Sequence, residues 1–475
     1  MTAVETWAGK RVTVMGLGVL GGGVGAARYL ASHGAHVTVT DMRDKVALES
    51  SIQQLAGLPI TYHLGQHELE DFTRQGADVV VRNPGVPMDS PYLAAAVESG
   101  VDIEMEMSIF FRDCPAPILG VTGTKGKTTV SALIGNMVRA WRPDAVLAGN
   151  MGISALQELD RIAPDTPVAL ELSSFQIESL VEHKLSPKVA VLTNISPDHL
   201  DRYRDFEHYA ATKRALTWSM GPTHFVVYNA DDPEVSRVTA ETIACQIPFG
   251  IGEGRGDGAW LVGNDLIYSW RGKQMTFGRP DILALAGDHG ARNALAAIAG
   301  CAAYGVPEAA IRAGLESFRG VENRLEQVAT IDGVVWINDT SATAPVAAVA
   351  GLRVLAPRAR SLHVIAGGAD KNTDLAPFAD EIAACGARIY LLEGTATATL
   401  SKLLAARGVD IIGTYPSMDA AVQAADKSVQ SGDVVALCPG CASFGMFRNE
   451  FDRGAQFRAA VNTLNSAATS QKAVR

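Results

Sequence analysis

Long apolar runs are missing from this chain: nowhere do about 18 uncharged apolar residues follow one another, the length that a membrane-spanning helix needs. The opening Met1-Thr2-Ala3-Val4-Glu5-Thr6-Trp7 has neither the basic nor the apolar region of a secretory signal, so a cytoplasmic protein with no membrane insertion is expected. Cysteine is scarce as well. Six scattered residues in 475 give no disulfide framework and point to a reducing compartment. Two of them, in Cys438-Pro439-Gly440-Cys441, follow an apolar run and are either a redox dithiol or two thiols in a glycine-containing binding loop. Basic excess is also absent. A net charge of −10 without a basic stripe or interleaved aromatics argues against nucleic acid and anionic membranes as principal partners, and any anionic ligand has to be met by locally placed cations.

What the chain does have is alternation. Short β-branched runs trade with Ala/Leu-rich stretches from end to end, which is the pattern of mainly parallel sheets covered by helices, an α/β fold. At this length about three domains are expected, with boundaries near 1–106, 107–320 and 321–475. The first opens with Arg11-Val12-Thr13-Val14-Met15, the turn Gly16-Leu17-Gly18-Val19-Leu20-Gly21, a helix to about His33 and a strand ending at Asp41: a dinucleotide fingerprint in full context. A third strand, Asp78 to Val81, leads to Asn83-Pro84-Gly85-Val86-Pro87. A helix is expected around Tyr209 to Trp218, a glycine-rich, strand-like patch over 249–280, an Ala-rich helix over about Arg292 to Tyr304, and a frayed tail from Ser466.

The most informative segment is Pro117-Ile118-Leu119-Gly120-Val121-Thr122-Gly123-Thr124-Lys125-Gly126-Lys127-Thr128-Thr129, an apolar strand that runs into a Gly/Thr/Lys turn and then a helix. Glycines let backbone N–H groups close round phosphates, Lys127 supplies a point charge, the helix adds its positive end, and Thr128 offers a hydroxyl to Mg²⁺. ATP is the expected ligand. Glu171 sits in an apolar strand, where an ionised carboxylate needs a cation such as Mg²⁺; the alternative is a protonated or Arg-paired core glutamate. Asp198-His199-Leu200-Asp201 follows the next apolar strand. Strand C-termini share one edge of a parallel sheet, so Glu171, His199 and the phosphate loop should converge, although His199 could instead cap a helix or pair with an aspartate.

These segments resemble the Mur ligases along nearly the whole chain. The likeness is carried by Gly123 to Thr129, Glu171-Leu172-Ser173-Ser174-Phe175-Gln176, Asp198 to Tyr203, Lys213, Asn293 to Ala297, Glu322-Asn323-Arg324, Asn338-Asp339 and Ala442-Ser443-Phe444. It implies an N-terminal Rossmann-like domain for a UDP-sugar, a central P-loop-type ATPase, and a C-terminal Rossmann-like domain for an amino acid. It further implies ATP-driven addition of D-glutamate to UDP-N-acetylmuramoyl-L-alanine through an acyl phosphate, by a monomer. Carried over by position, Gly18, Val19, Leu20, Asp41, Arg43 and Gly85 contact the UDP part, and Asn150 lies near the muramoyl-peptide. Gly123, Thr124, Lys125, Gly126, Lys127, Thr128 and Thr129 hold the phosphates, with Thr128 also on metal. Glu171 holds one Mg²⁺, while His199 and a carbamylated Lys213 hold a second. Asn293 faces the adenine, Asp339 the ribose and Arg324 the γ-phosphate. Lys371 and Thr343 grip the amino acid's α-carboxylate, with Ser443 and Phe444 at its side chain.

Some positions depart from the family pattern. Ser341 stands where a lysine is usual, Lys125 where Asn is commoner, Gly290 at the first Asn of an HNxxN motif, and Glu450 where some members have an aromatic. Relatives that add L-glutamate have a similarly lysine-free motif, so the same reaction with L-glutamate stays open, as does an NAD-dependent dehydrogenase using the N-terminal fingerprint.

Overall fold

The β-branched runs form strands and the Ala/Leu-rich stretches between them form helices, giving a backbone that alternates along its length. The computed structural model describes residues 7–473 apart from 19–20, 88, 151–153, 201, 253–255, 281, 283–284 and 372, with side chains to residue 466. Val19, Leu20 and Asp201 therefore lie outside the described residues.

Five parallel strands, β1 (Arg11–Met15), β2 (His36–Asp41), β3 (Ile60–Leu64), β4 (Val79–Arg82) and β5 (Asp102–Glu104), form the first sheet in the order β3-β2-β1-β4-β5. The order reverses between β1 and β4, and such switch points open a crevice at the strand C-termini. The second sheet holds β6 (Ile118–Thr122), β7 (Val146–Gly149), β8 (Val168–Glu171), β9 (Val189–Leu192), β10 (Phe225–Asn229), β11 (Cys245–Gly250), β12 (Gly258–Val262), β13 (Asp265–Trp270) and β14 (Lys273–Gly278). Its order is β14-β13-β12-β11-β10-β9-β6-β8-β7, parallel from β7 to β12 and antiparallel beyond. The third contains β15 (Glu326–Ile331), β16 (Val334–Asn338), β17 (Leu362–Ala366), β18 (Arg388–Leu392), β19 (Ile411–Tyr415) and β20 (Val434–Leu437), ordered β15-β16-β20-β17-β18-β19, with only β15 antiparallel.

Two compact units result: Met1–Pro280 with Gly287–Phe318, and Asp281–Ala286 with Arg319–Arg475. In the first, both sheets share one apolar cluster, in which Val14 and Leu30 belong with Leu170 and Leu192. In the second, the sheet is covered on both faces, one core holding Leu352 and Phe378 and the other Trp336 and Phe457. No helix of the described residues is long and apolar enough to cross a membrane.

Two sequence expectations need correction, and one between them is borne out. The helix expected around Tyr209 to Trp218 starts earlier, as Phe206–Arg214, because the Asp205 carboxylate caps it by accepting the His208 N–H at 2.8 Å; Ala215–Thr217 is a 3₁₀ turn. The strand-like patch expected over 249–280 is found, as the antiparallel meander of β12, β13 and β14, its turns made by Gly263 and Gly272 at positive φ. The tail expected to fray from Ser466 continues the helix Glu450–Ala473, since the Ala-rich stretch has no glycine or proline to stop it.

Candidate active site

β6 enters a tight turn and the helix Lys127–Trp141 leaves it. Gly126, the residue before that helix, has φ +85°, and Gly123 has φ +144°. A Cβ on Gly123 would lie 2.0 Å from Thr193 Oγ1, and one on Gly126 would lie 2.6 Å from Asn293 Oδ1. The turn thus requires glycine for both its backbone conformation and its close neighbours. Lys127 folds back over it, donating to the Gly123 and Thr124 carbonyls, both at 3.0 Å. Asn194 at the end of β9 clamps the far side: its Oδ1 accepts the Lys125 N–H at 2.9 Å and its carbonyl accepts the Thr124 N–H at 2.7 Å. Thr124 Oγ1 lies 3.1 Å from the Tyr209 hydroxyl, joining the turn to the helix that carries Lys213. Lys125 points outward to Asp198 at 3.5 Å, and Thr128 and Thr129 open the helix.

β8 pairs with β6 so that Glu171 stands opposite Val121. Glu171 is buried. Its Oε1 accepts the Asn150 amide at 3.0 Å, while Oε2 is buried with no hydrogen-bond partner among the described residues. An orphaned carboxylate oxygen in that position calls for a cation. Lys213 is equally buried, its Nζ 5.0 Å from the Tyr209 ring centroid. Burial first, and the nearby Lys127 second, push its pKa down to about 7 against the pull of Asp198 and Glu171. His199 is exposed, at φ +52°, with its ring against Phe175 at 5.0 Å between centroids. The structure therefore groups Lys127, Glu171, His199 and Lys213 at one edge of the sheet. Asn293, in the helix Gly287–Tyr304, reaches the same turn at Gly126.

The switch point of the first sheet opens into a cleft of about 450 Å³ that Gly18, Asp41, Arg43 and Gly85 line together. Asp41 is committed to the protein itself: it accepts the Gly18 N–H at 3.1 Å and the Arg43 N–H at 2.9 Å. Asn150 is not among the lining residues of this cleft; it follows β7, whose Gly149 pairs with Glu171, and that register brings it to the carboxylate.

In the second unit, Arg324 is exposed on a turn between Asn323 and Leu325, both at positive φ. The Asp339 carboxyl is buried, accepting the Leu325 N–H at 3.1 Å with Cys438 Sγ 3.8 Å away, and burial raises its pKa to about 7. Lys371 donates to Thr343 Oγ1 at 3.2 Å, and a two-way backbone bridge between Ala369 and Ala442 brings Ser443 and Phe444 alongside; Ser443 is buried and Phe444 exposed. These loops leave the C-terminal ends of β16, β17 and β20, which are neighbours in the sheet. Cys438 and Cys441 are buried free thiols; burial holds Cys438 far above its ordinary value and pushes Cys441 to about 11, the reverse of a reactive thiolate.

Sequence reasoning missed the Glu171 contact of Asn150, and also a network of Arg82, Glu178, Arg202 and Tyr203 beneath the site. Glu178 is on the same helix as Phe175, a signal that it faces the same interior, but its partners are distant in sequence.

Three family models match in chain order: the N-terminal domain of MurD-like Mur ligases over residues 10–104, the Mur ligase middle domain over 121–301, and the Mur ligase glutamate ligase domain over 323–441. The chain is 46% identical over 470 residues to the UDP-N-acetylmuramoylalanine--D-glutamate ligase of Roseiflexus sp., covering 96% of this chain and 99% of that protein. It is 34% identical over 459 residues to the protein of that name from Symbiobacterium thermophilum, covering 96% and 98%. Among solved structures, UDP-N-acetylmuramate-alanine ligase MurC from Thermotoga maritima matches with a TM-score of 0.61 at 20% identity, covering 96% of this chain and all of that one, a likeness of fold. With those three models in that order and such identity along nearly its full length, the chain belongs to the Mur ligase family and has that family's three-domain α/β fold.

Proposed function

We propose that this chain is an ATP-dependent ligase that joins D-glutamate to UDP-N-acetylmuramoyl-L-alanine through an acyl phosphate, a cytoplasmic step of peptidoglycan precursor synthesis. The observation that carries this reading is the grouping of the phosphate loop with the orphaned Glu171 oxygen and the buried Lys213, in a chain 46% identical to a ligase of that name. Residues 1–106 bind the UDP-sugar, 107–320 bind ATP and 321–475 bind the amino acid, and the chain works as a monomer.

A carboxylate is a poor electrophile, so the L-alanyl carboxylate first takes the γ-phosphoryl group of ATP. The glutamate amine then attacks the acyl phosphate, and phosphate leaves from the tetrahedral intermediate. Gly123, Thr124, Lys125, Gly126, Lys127, Thr128 and Thr129 cradle the phosphates, Asn293 and Asp339 hold the adenosine, and Arg324 and Lys127 offset charge on the transferring group. Gly18, Asp41, Arg43 and Gly85 hold the UDP portion in the cleft they share. Thr343, Lys371, Ser443 and Phe444 orient the incoming glutamate, the term that turns a three-body encounter into a local one.

Glu171, with Thr128, fits a hard divalent cation, since its free oxygen is buried. His199 and Lys213 suit a second such ion only if Lys213 is a carbamate, because an ammonium would repel it. The lowered pKa of Lys213 leaves neutral amine available near pH 7 to condense with carbon dioxide. Two Mg²⁺ ions bound there would neutralise negative charge on the transferring phosphoryl group. Lys213→Ala should lose activity that added short-chain carboxylate partly restores; unchanged activity would remove Lys213 from the site.

A second reading, the same reaction with L-glutamate, is favoured by Ser341 in place of a lysine beside the amino-acid loops. Phosphate release from ATP with UDP-N-acetylmuramoyl-L-alanine, compared with D-glutamate, L-glutamate or neither, separates them. Release with D-glutamate alone is expected. Release with L-glutamate alone would favour the second reading, and no release with either would overturn both.

A further inference from the structure

One carboxylate joins the cleft of the first sheet to the segment that carries His199. Glu178 lies on the helix Ser174–Glu182, which follows directly on Glu171 and Leu172. Its Oε2 accepts from Arg82 Nη2 at 3.1 Å and from Arg202 Nη2 at 3.3 Å, and its Oε1 accepts the Tyr203 hydroxyl at 2.9 Å. Arg82 ends β4, its side chain wholly buried, and its Nη1 donates to the Val86 carbonyl at 3.2 Å. Arg202 reaches the same turn from the other direction, donating from Nη1 to the Pro84 carbonyl at 2.6 Å. That turn, from Asn83 to Val86, lines the cleft.

At its other end the network meets the segment that carries His199. The backbone N–H groups of Arg202 and Tyr203 both donate to the His199 carbonyl at 3.0 Å, which ties both residues to His199 through the backbone. The Arg202 guanidinium lies over the Phe175 ring at 4.2 Å, and the His199 ring packs against the same phenyl. Tyr203 stacks on Phe175 and meets Tyr209, whose hydroxyl touches Thr124 of the phosphate loop. Both guanidiniums are largely withdrawn from water, where charge-assisted bonds are geometrically strict and costly to leave unmade. A shift of the cleft-lining turn must therefore be absorbed by Arg202 and passed to His199. Glu182, one turn beyond Glu178, also faces Arg82, so Arg82 keeps an anionic neighbour if Glu178 loses its charge.

We infer that Glu178 is a positioning residue that couples the two sites: filling the cleft with the nucleotide-sugar substrate tightens nucleotide binding at the phosphate loop, through Arg202 and the His199 turn. This rests on the substrate reading above. Coupling between sites is reciprocal and typically amounts to 5–150-fold in affinity.

The test is calorimetric titration of a non-hydrolysable ATP analogue with Mg²⁺, with and without UDP-N-acetylmuramoyl-L-alanine, on the native chain, Glu178→Gln and Arg202→Lys. A lysine keeps the charge but cannot hold Pro84 and Glu178 together. The native chain should bind the analogue at least about fivefold more tightly with the sugar nucleotide present. Each variant should bind either ligand alone within about threefold of the native chain yet show less than about twofold coupling. A merely structural role would lower the melting temperature or weaken both separate affinities and leave the coupling ratio intact. Retained coupling in Arg202→Lys overturns the inference even if Glu178→Gln fails to fold, and so does a native chain without coupling. Failure of the substrate reading shows differently, as absence of any binding of the sugar nucleotide to the native chain.

Discussion

Gly126 shows how much of this site is decided by single atoms. Its φ of +85° would cost an L-residue about 1–2 kcal/mol, and a Cβ would press on Asn293 Oδ1. Gly126→Ala should therefore weaken ATP-analogue binding tenfold or more while the chain still folds; an unchanged dissociation constant in calorimetry would show that the turn does not hold phosphate. Glu106 is a second case. Its Oε1 accepts the Ser154 hydroxyl at 2.5 Å, and loss of water, only partly offset by that bond and by the Ala155 and Leu156 N–H groups, raises its pKa from 4.5 to about 7. A raised carboxyl pKa means that the folded chain binds the proton more tightly than the unfolded one. The contribution is then fully favourable below about pH 4.5 and is lost as pH rises through about 7. Glu106→Gln keeps the acceptor and removes the titration, so its melting temperature should match the native chain near pH 5 and exceed it at pH 8. An equal difference at both pH values would rule this out.

Among the elements, the short helix Phe206–Arg214 bears the greatest burden, because it carries Lys213 at its last turn. Arg214, side by side with it, is buried and pairs with Glu207 at 2.9 Å, Glu234 at 3.1 Å and Glu241 at 2.9 Å. Breaking such a hub leaves three carboxylates with one fewer cation, but they are between 24 and 55% exposed, so water takes up part of the loss. Arg214→Met should cost about 1–3 kcal/mol and lower activity beyond the stability effect, because Lys213 loses its fixed position. Denaturation paired with turnover measured well below the melting temperature checks both; a destabilised but fully active variant would separate Arg214 from the site. The elements most legible in the sequence were the buried strands β1, β6, β8, β9 and β20, whose β-branched and apolar runs signal themselves. The edge strands β3, β5, β15 and β19 are only partly buried, so their pattern blends with loops, and they become strands only because a neighbour offers a ladder to pair with.

On the scale of the whole molecule, cores set which pieces stand alone. The second unit has a complete six-stranded sheet with an apolar cluster on each face, so residues 319–475 expressed alone should melt cooperatively in circular dichroism. The first sheet shares its cluster with the second, Val14 and Val39 lying in the same core as Leu170 and Leu192. Residues 1–106 alone should expose that surface and give a broad transition or aggregate. A sharp melt from 1–106, or none from 319–475, would contradict this division.

By itself the sequence determined the α/β alternation, the phosphate loop and the residue types at its edge, because these depend on local pattern: apolar strand, glycine turn, helix start. The meeting of Glu171 and the His199 segment with the phosphate loop follows from strand neighbours in a parallel sheet and could be anticipated from order alone, whereas Lys213 reaches it from a helix. Only the tertiary structure decided that Asn150 holds one Glu171 oxygen and leaves the other free, that Asp41 is committed to Gly18 and Arg43, and that Glu178 gathers Arg82, Arg202 and Tyr203. Apart from the local Asp41–Arg43 bond, those contacts join residues 21 to 96 positions apart, and their partners are set by strand register and side-chain reach, which no local pattern encodes.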